Sequence, residues 1–237
     1  MDLANRAAVI TGATGGLGRV VAHRFGQAGA RLALFSSNED NLNKLAEELA
    51  LPNENSLIRA LNFRHPDAAK AAAQETLDKF GRVDLLLHLV GGWTGGKSLV
   101  DVEDNQMDEM LQLHVWTTFR LVKAFVPHFL ANRWGRIVVI SSPNAGMPSP
   151  KSAPYAAAKA AQEALILALA QEIKGSGVTA NVIRVQTIDV KHQRDREPGP
   201  MNTTWTTPEE IASTIVYLCS EEAKMVNGAR IPLYGSP

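Results

Sequence analysis

Short apolar and β-branched runs recur along the chain at residues 7–11, 32–35, 83–89, 137–141 and 178–185, each bounded by Gly, Pro or polar residues. Runs of this length without polar alternation predict strands buried on both faces, as in a parallel sheet. Amphipathic stretches of helical length lie between them, at residues 18–28, 40–50, 66–80, 103–130 and 153–174. Regular alternation of strand and helix predicts a doubly wound α/β fold, a parallel sheet covered by helices on both faces through right-handed crossovers. Ligands then belong at the carboxyl ends of the strands. Residues 186–206 are too polar and Pro-interrupted for a core element, and a long irregular stretch of this kind suits a substrate lid. The tail, residues 228–237, carries Ile231, Leu233 and Tyr234 and reads as a last edge strand.

Composition narrows the classes of partner. The 237 residues fit one domain spanning 1–237, and 45% hydrophobic with 20% charged residues is the balance of a globular protein with a large core. Lys plus Arg and Asp plus Glu both total 24, so no global field gathers nucleic acid or an anionic membrane. A small-molecule substrate is expected instead. Cys219 is the single cysteine, more suited to a core position than to nucleophilic chemistry, and it has no partner for an internal disulfide. With no secretory signal and no apolar run of about 18 residues, a cytoplasmic location is expected. No metal site is expected.

The first strand runs directly into Gly12, Ala13, Thr14, Gly15, Gly16, Leu17 and Gly18, after which a helix begins. Glycines let the backbone turn tightly against a pyrophosphate, whose charge is favoured by the free amides and positive dipole end of the helix. A carboxylate at the end of the second strand would hold the ribose 2′-hydroxyl of NAD and repel the 2′-phosphate of NADP. This chain has Ser36 and Ser37 there, which leaves both coenzymes open, with NADP(H) slightly preferred over NAD(H). The same serines also suit the capping of the next helix.

Further along, Tyr155 and Lys159 stand one helical turn apart on an otherwise Ala-rich helix. A neighbouring ammonium favours the phenolate, so the expected effect is a lowered tyrosine pKa suited to carbonyl and alcohol chemistry. Ser142, thirteen residues before Tyr155 and just after a strand, is placed to hold a substrate oxygen, with Ser141 its neighbouring alternative.

The glycine spacing TGxxxGxG, Ser142 and the Tyr155–Lys159 pair together resemble the short-chain dehydrogenase/reductases over nearly the whole chain. That resemblance implies a Rossmann-like NAD(P)-dependent oxidoreductase. In it Tyr155 gives or takes the proton, Ser142 orients the carbonyl and Lys159 also holds the nicotinamide ribose. It implies coenzyme contacts at Gly12, Thr14, Gly16, Leu17, Gly18, Ser36, Ser37, Val90, Gly91, Tyr155, Lys159 and Ile188, with Asn62 and Phe63 flanking the adenine. It also implies a homodimer or homotetramer formed through the helices at 103–130 and 153–174.

The chain departs from the family pattern in several places. His88, Leu89, Val90 and Gly91 stand where the family has AsnAsnAlaGly, and His114 occupies the position of an Asn in a proton relay. Histidine can both donate and accept hydrogen bonds, so relay and packing are both open to His114. Val185, Gln186 and Val190 replace the usual ProGly and nicotinamide-facing Thr, leaving Thr187 and Asp189 as polar candidates. The loop Gly91, Gly92, Trp93, Thr94, Gly95, Gly96 is similar to a loop of dihydropteridine reductases, where Trp93 would stack on a flat substrate ring. Three functions are therefore weighed: a carbonyl/alcohol oxidoreductase, a pterin-type reductase, and a catalytically weak dinucleotide-binding sensor.

Overall fold

The computed structural model describes residues 3, 4 and 6–235. Seven strands form one parallel sheet: β1 (Ala7–Thr11), β2 (Arg31–Ser36), β3 (Ser56–Ala60), β4 (Leu85–His88), β5 (Gly135–Ser141), β6 (Val178–Arg184) and β7 (Arg230–Pro232), in the order β3-β2-β1-β4-β5-β6-β7. Chain order reverses between β1 and β4, so a crevice opens at their carboxyl ends.

The strands β1 to β6 present apolar side chains to both faces, and two main cores result. One packs Val9, Leu86, Val139 and Val182 against α3 (Ala68–Phe80), α5 (Thr117–Ala131) and α6 (Ala153–Glu172). The other packs Ile10, Leu34, Leu87 and Ile183 against α1 (Gly16–Gln27), α2 (Glu39–Leu49) and α8 (Pro208–Leu218). The predicted doubly wound α/β fold is what the chain adopts, and Cys219 lies buried in the second core.

Some expectations change in detail. The run at 83–89 yields a strand only at Leu85–His88. The stretch at 103–130 is not one regular helix: α4 (Asp104–Met110) passes through a π-helical turn, Leu111–Trp116, before α5 begins. Thr118 bonds back to the carbonyl of His114 at 2.6 Å and Thr117 to that of Leu113, so hydroxyls share carbonyls that the helix ladder would otherwise use. The extra residue rotates His114 into the interior, where it is fully buried.

Ser36 and Ser37 do not cap α2. Asn38 does, accepting the amide of Asn41 at 2.8 Å, and Ser36 instead meets the Thr14 hydroxyl. The stretch at 186–206 is mostly irregular but anchored. Asp189 accepts the amides of Gln193 and Arg194 at the start of a short helix, α7 (Gln193–Arg196), so it belongs to this segment's own turn. Arg194 then forks onto Glu210 of α8. In the tail, β7 ends at Pro232 and joins β6 in parallel, held by Asn181, whose side chain bonds Val226 and Ala229. Residues 236–237 of the predicted tail strand lie outside the described residues.

Candidate active site

Gly12 turns the chain out of β1 with φ +73, a left-handed conformation, and a Cβ there would lie 3.0 Å from the backbone of Leu89 and Val90. Gly18 permits a still closer approach, since its Cβ would stand 2.2 Å from the Gly12 carbonyl. α1 opens at Gly16 with no side-chain cap and no acid in its first turn. Its first amides therefore face the crevice unclaimed by side chains, the condition that favours an anion.

The crevice has two lobes that share Gly12, Gly15, Leu89, Val90 and Gly91. The first, about 480 Å³, is lined also by Ser36, Ser37, Leu61, Asn62, Phe63 and Arg64. The Thr14 and Ser36 hydroxyls meet at 2.7 Å on this side. Asn62 accepts the amide of Arg64 at 3.1 Å, and buried Phe63 packs edge-on against Phe35, so both shape the wall through the fold itself. Arg64 supplies the cation of this lobe, and its guanidinium also reaches Glu109 at 3.0 Å.

The second lobe, about 360 Å³, is lined by Gly16, Leu17, Gly18, Trp93, His114, Tyr155, Lys159 and Ile188. Most of the residues singled out in the sequence thus converge on one continuous crevice. Thr14 and Ser142 lie beside it and do not line it. Val190 packs against Gly16, where an added Cβ would sit 2.5 Å from its methyl group, so it covers the glycine loop. Trp93 is 61% exposed and rests on Gly95.

The two serines separate cleanly. Ser141 donates to Glu163 at 2.7 Å, while Ser142 remains within hydrogen-bonding reach of Tyr155. Lys159 is buried and donates to the Ile140 carbonyl at 2.8 Å and to Gln162 at 2.9 Å. Its Nζ stands 5.9 Å from the centre of the Tyr155 ring, and His114 meets the same ring edge-on at 5.6 Å.

Burial dominates the electrostatics. Desolvation pushes Lys159 down to about 7, with Glu163 acting in the opposite sense. Tyr155 is pushed up by burial, and its bond with Ser142 offsets this only in part. The expected lowering of Tyr155 by Lys159 is thus not what this structure has. A desolvated phenol stays protonated, and an ammonium turned toward Ile140 and Gln162 does little to reverse that. His114 falls to about 2 and His88 to about 3, both chiefly through burial, so both imidazoles are neutral at ordinary pH.

Glu163 and Arg64 were not singled out from sequence. Glu163 is 3% exposed and takes Arg184 in a two-point ion pair, at 2.6 and 2.8 Å, under the strand end that carries Ser142. Its signal was present: a carboxylate four residues beyond Lys159 on a helix rich in alanine. Arg64 carried no comparable mark. Among the described residues no His, Cys, Asp or Glu cluster is arranged to hold a metal, and no helix is long and apolar enough to cross a membrane.

The parallel sheet, the uncapped glycine loop and the Ser142, Tyr155 and Lys159 group beside the crevice are the features on which the sequence resembles the short-chain dehydrogenase/reductases. A family model described as short chain dehydrogenase matches residues 6–200, and the chain belongs to that family. Its curated relatives include the 3-oxoacyl-(acyl-carrier-protein) reductase FabG of Vibrio cholerae, 27% identical over 99% of this chain and 98% of that protein. The Bacillus subtilis protein described as uncharacterized oxidoreductase YvrD is also 27% identical, over 96% and 94%. Among solved structures, a short chain dehydrogenase from Bacillus anthracis superposes with a TM-score of 0.85 at 25% identity, covering 96% of this chain and 94% of that one. An NADPH-bound short chain oxidoreductase from Pseudomonas aeruginosa has the same fold, with a TM-score of 0.87 at 23% identity over 98% and 96%.

Proposed function

We propose that the protein is an NAD(P)H-dependent reductase of carbonyl compounds, with Tyr155 as proton donor. The observation that carries this reading is that Tyr155 and Lys159 line the lobe that continues the glycine loop, with Ser142 beside it in hydrogen-bonding reach of Tyr155. When bound, the nicotinamide coenzyme supplies the hydride. The uncapped start of α1 and the turn at Gly12 would hold its pyrophosphate, and Lys159 its nicotinamide ribose.

The remaining work falls to the chain. The Ser142 hydroxyl donates to the substrate carbonyl oxygen and fixes it beside the Tyr155 phenol. The phenol O–H then gives its proton to that oxygen as negative charge develops there. A tyrosine raised by burial suits this direction, since it enters the step protonated. Lys159, at about 7, exchanges protons readily near neutrality and can return one to the phenolate. Gly91 to Gly96 and the segment at 186–206 flank the substrate and exclude water.

NADPH is the coenzyme favoured by the first lobe. Ser36 and Ser37 bring no carboxylate to repel a 2′-phosphate, and Ser36, Ser37 and Arg64 offer hydroxyl and cationic partners to one. The oxoacyl thioesters named for the curated relatives are the first carbonyls to try. Assembly as a dimer or tetramer across α4, α5 and α6 is part of this reading, as is a cytoplasmic site of action. Titration with NADPH and NADH in parallel, followed by tryptophan fluorescence, tests it. Tighter binding of NADPH supports the assignment, and failure of both coenzymes to bind contradicts it.

A further inference from the structure

A run of buried hydrogen bonds leads from Lys159 across to α5. Gln162 stands three residues beyond Lys159 on α6, hence on the same side of the helix, and is wholly buried. Its Oε1 accepts a lysine N–H at 2.9 Å, and its Nε2 donates to the Thr118 hydroxyl oxygen at 2.8 Å. Thr118, also buried at the start of α5, donates in turn to the His114 carbonyl at 2.6 Å.

The direction of this run is fixed at its far end. A hydroxyl has one hydrogen, and the His114 carbonyl takes it, so toward Gln162 the Thr118 oxygen can only accept. Gln162 must therefore turn its NH2 to Thr118 and its carbonyl to Lys159. The reversed amide would set NH2 against the ammonium at one end and bring two acceptors face to face at the other. A carbonyl oxygen held in this way favours the charged form of the lysine over the neutral amine. With the Ile140 carbonyl as second acceptor at 2.8 Å, two of the three N–H groups are tied, and one is left for a group in the lobe that Lys159 lines.

We propose that Gln162 is a positioning residue for Lys159 and that Thr118 sets its orientation. The charge nearest the lysine is that of Glu163 on the same helix, which is paired with Arg184 of β6 and lies 4.0 Å from Arg230 of β7. His88 of β4 and His114 of the π-helical turn also interact with it, but they titrate at about 3 and about 2 and are neutral where the lysine titrates, at about 7. Tyr155, its ring centre 5.9 Å from the lysine Nζ, is pushed up by burial and is protonated there. The kinetic consequence rests on the reading of Tyr155 and Lys159 as the proton-transfer group, whereas the titration of the lysine itself does not.

The test follows Lys159 by NMR in protein carrying isotope-labelled lysine, its signal assigned by its loss in Lys159→Met, alongside the pH profile of kcat. Gln162→Met keeps the length of the side chain and removes the acceptor. The Lys159 midpoint should fall by about one pH unit and the alkaline limb of kcat should move with it, with KM for the carbonyl substrate within about twofold. Gln162→Glu keeps an oxygen toward the lysine and should return the midpoint to the wild-type value or above it. Thr118→Val leaves every direct partner of Lys159 in place, yet frees the Gln162 amide to reverse, and should lower the midpoint in the same direction. An unmoved midpoint in Gln162→Met overturns the proposal, and an unmoved midpoint in Thr118→Val overturns the part given to Thr118. If Gln162→Met does not fold, Thr118→Val decides alone. If the midpoints move as expected while the wild-type protein turns over no carbonyl, the functional reading fails and the positioning of Lys159 stands.

Discussion

Glu163→Gln is the perturbation whose size the structure sets best. The carboxylate side chain is 4% exposed and the Arg184 side chain 17%, and they join through two charge-assisted hydrogen bonds of 2.6 and 2.8 Å. Two unit charges near a protein surface attract by about 4 kcal/mol at 4 Å with an effective dielectric near 20. Removing one member of a buried pair typically costs about 3–5 kcal/mol, because the other charge stays behind without its counter-ion. Glutamine keeps one oxygen for Ser141 or Arg184, and Tyr234 also contacts the guanidinium, so the lower end, about 3 kcal/mol, applies. For a domain of this size about 2–4 °C accompanies each kcal/mol, which predicts a fall in Tm of about 6–12 °C by scanning calorimetry. A double-mutant cycle with Arg184→Met should return a coupling of about 2 kcal/mol. A fall below about 2 °C, or strict additivity in the cycle, would refute the reasoning. Activity should respond as well: Glu163 holds Lys159 up against desolvation, so without it the lysine loses its proton at lower pH and the alkaline limb of kcat moves down.

Other outcomes follow from the same geometry. His114→Asn should flatten the acid side of the stability curve. Neutral burial of His114, with its pKa lowered from 6.5 to about 2, contributes stability that is present above pH 6.5 and is lost as pH falls toward that value. Urea unfolding at pH 6.5, 5.5 and 4.5 should thus show a wild-type slope steeper by roughly 1 kcal/mol per pH unit, and parallel slopes would count against it. Gly18→Ala forces a Cβ to within 2.2 Å of the Gly12 carbonyl and should weaken coenzyme binding at least tenfold by fluorescence titration; unaltered affinity would show that the loop is not the phosphate site. Ser36→Asp places a carboxylate beside the Thr14 hydroxyl and should shift the ratio of NADPH to NADH affinity by tenfold or more toward NADH, with an unmoved ratio counting against the first lobe as the ribose site.

The strands that build the crevice were legible because burial on both faces writes uninterrupted apolar runs, and the glycine loop because only glycine fits at Gly12 and Gly18. Legibility fell where two structures share one sequence pattern. Residues 111–116 contain no Pro or Gly, and a single π-helical turn leaves too few residues to distinguish its period from 3.6, so the inward rotation of His114 did not show. Ser36, Ser37 and Asn38 are all good capping types, and which one captures the Asn41 amide depends on where β2 stops. The sign of the Tyr155 shift was misjudged because the spacing to Lys159 is visible in sequence, whereas the desolvation that outweighs it arises only when α6 packs on β5. Glu163 and Arg184 lie 21 residues apart and meet only when α6 packs on β6, so neither residue alone announces the pair.

The most direct measurement compares wild-type protein with Tyr155→Phe, following NADPH oxidation at its absorbance band with a small 3-oxoacyl ester while coenzyme binding is titrated separately. Loss of the phenol O–H should lower kcat by about a hundredfold or more, with NADPH affinity within twofold, since positioned acid catalysis contributes on the order of 10²–10⁴. Undiminished turnover in Tyr155→Phe would contradict the assignment of Tyr155 as the proton donor.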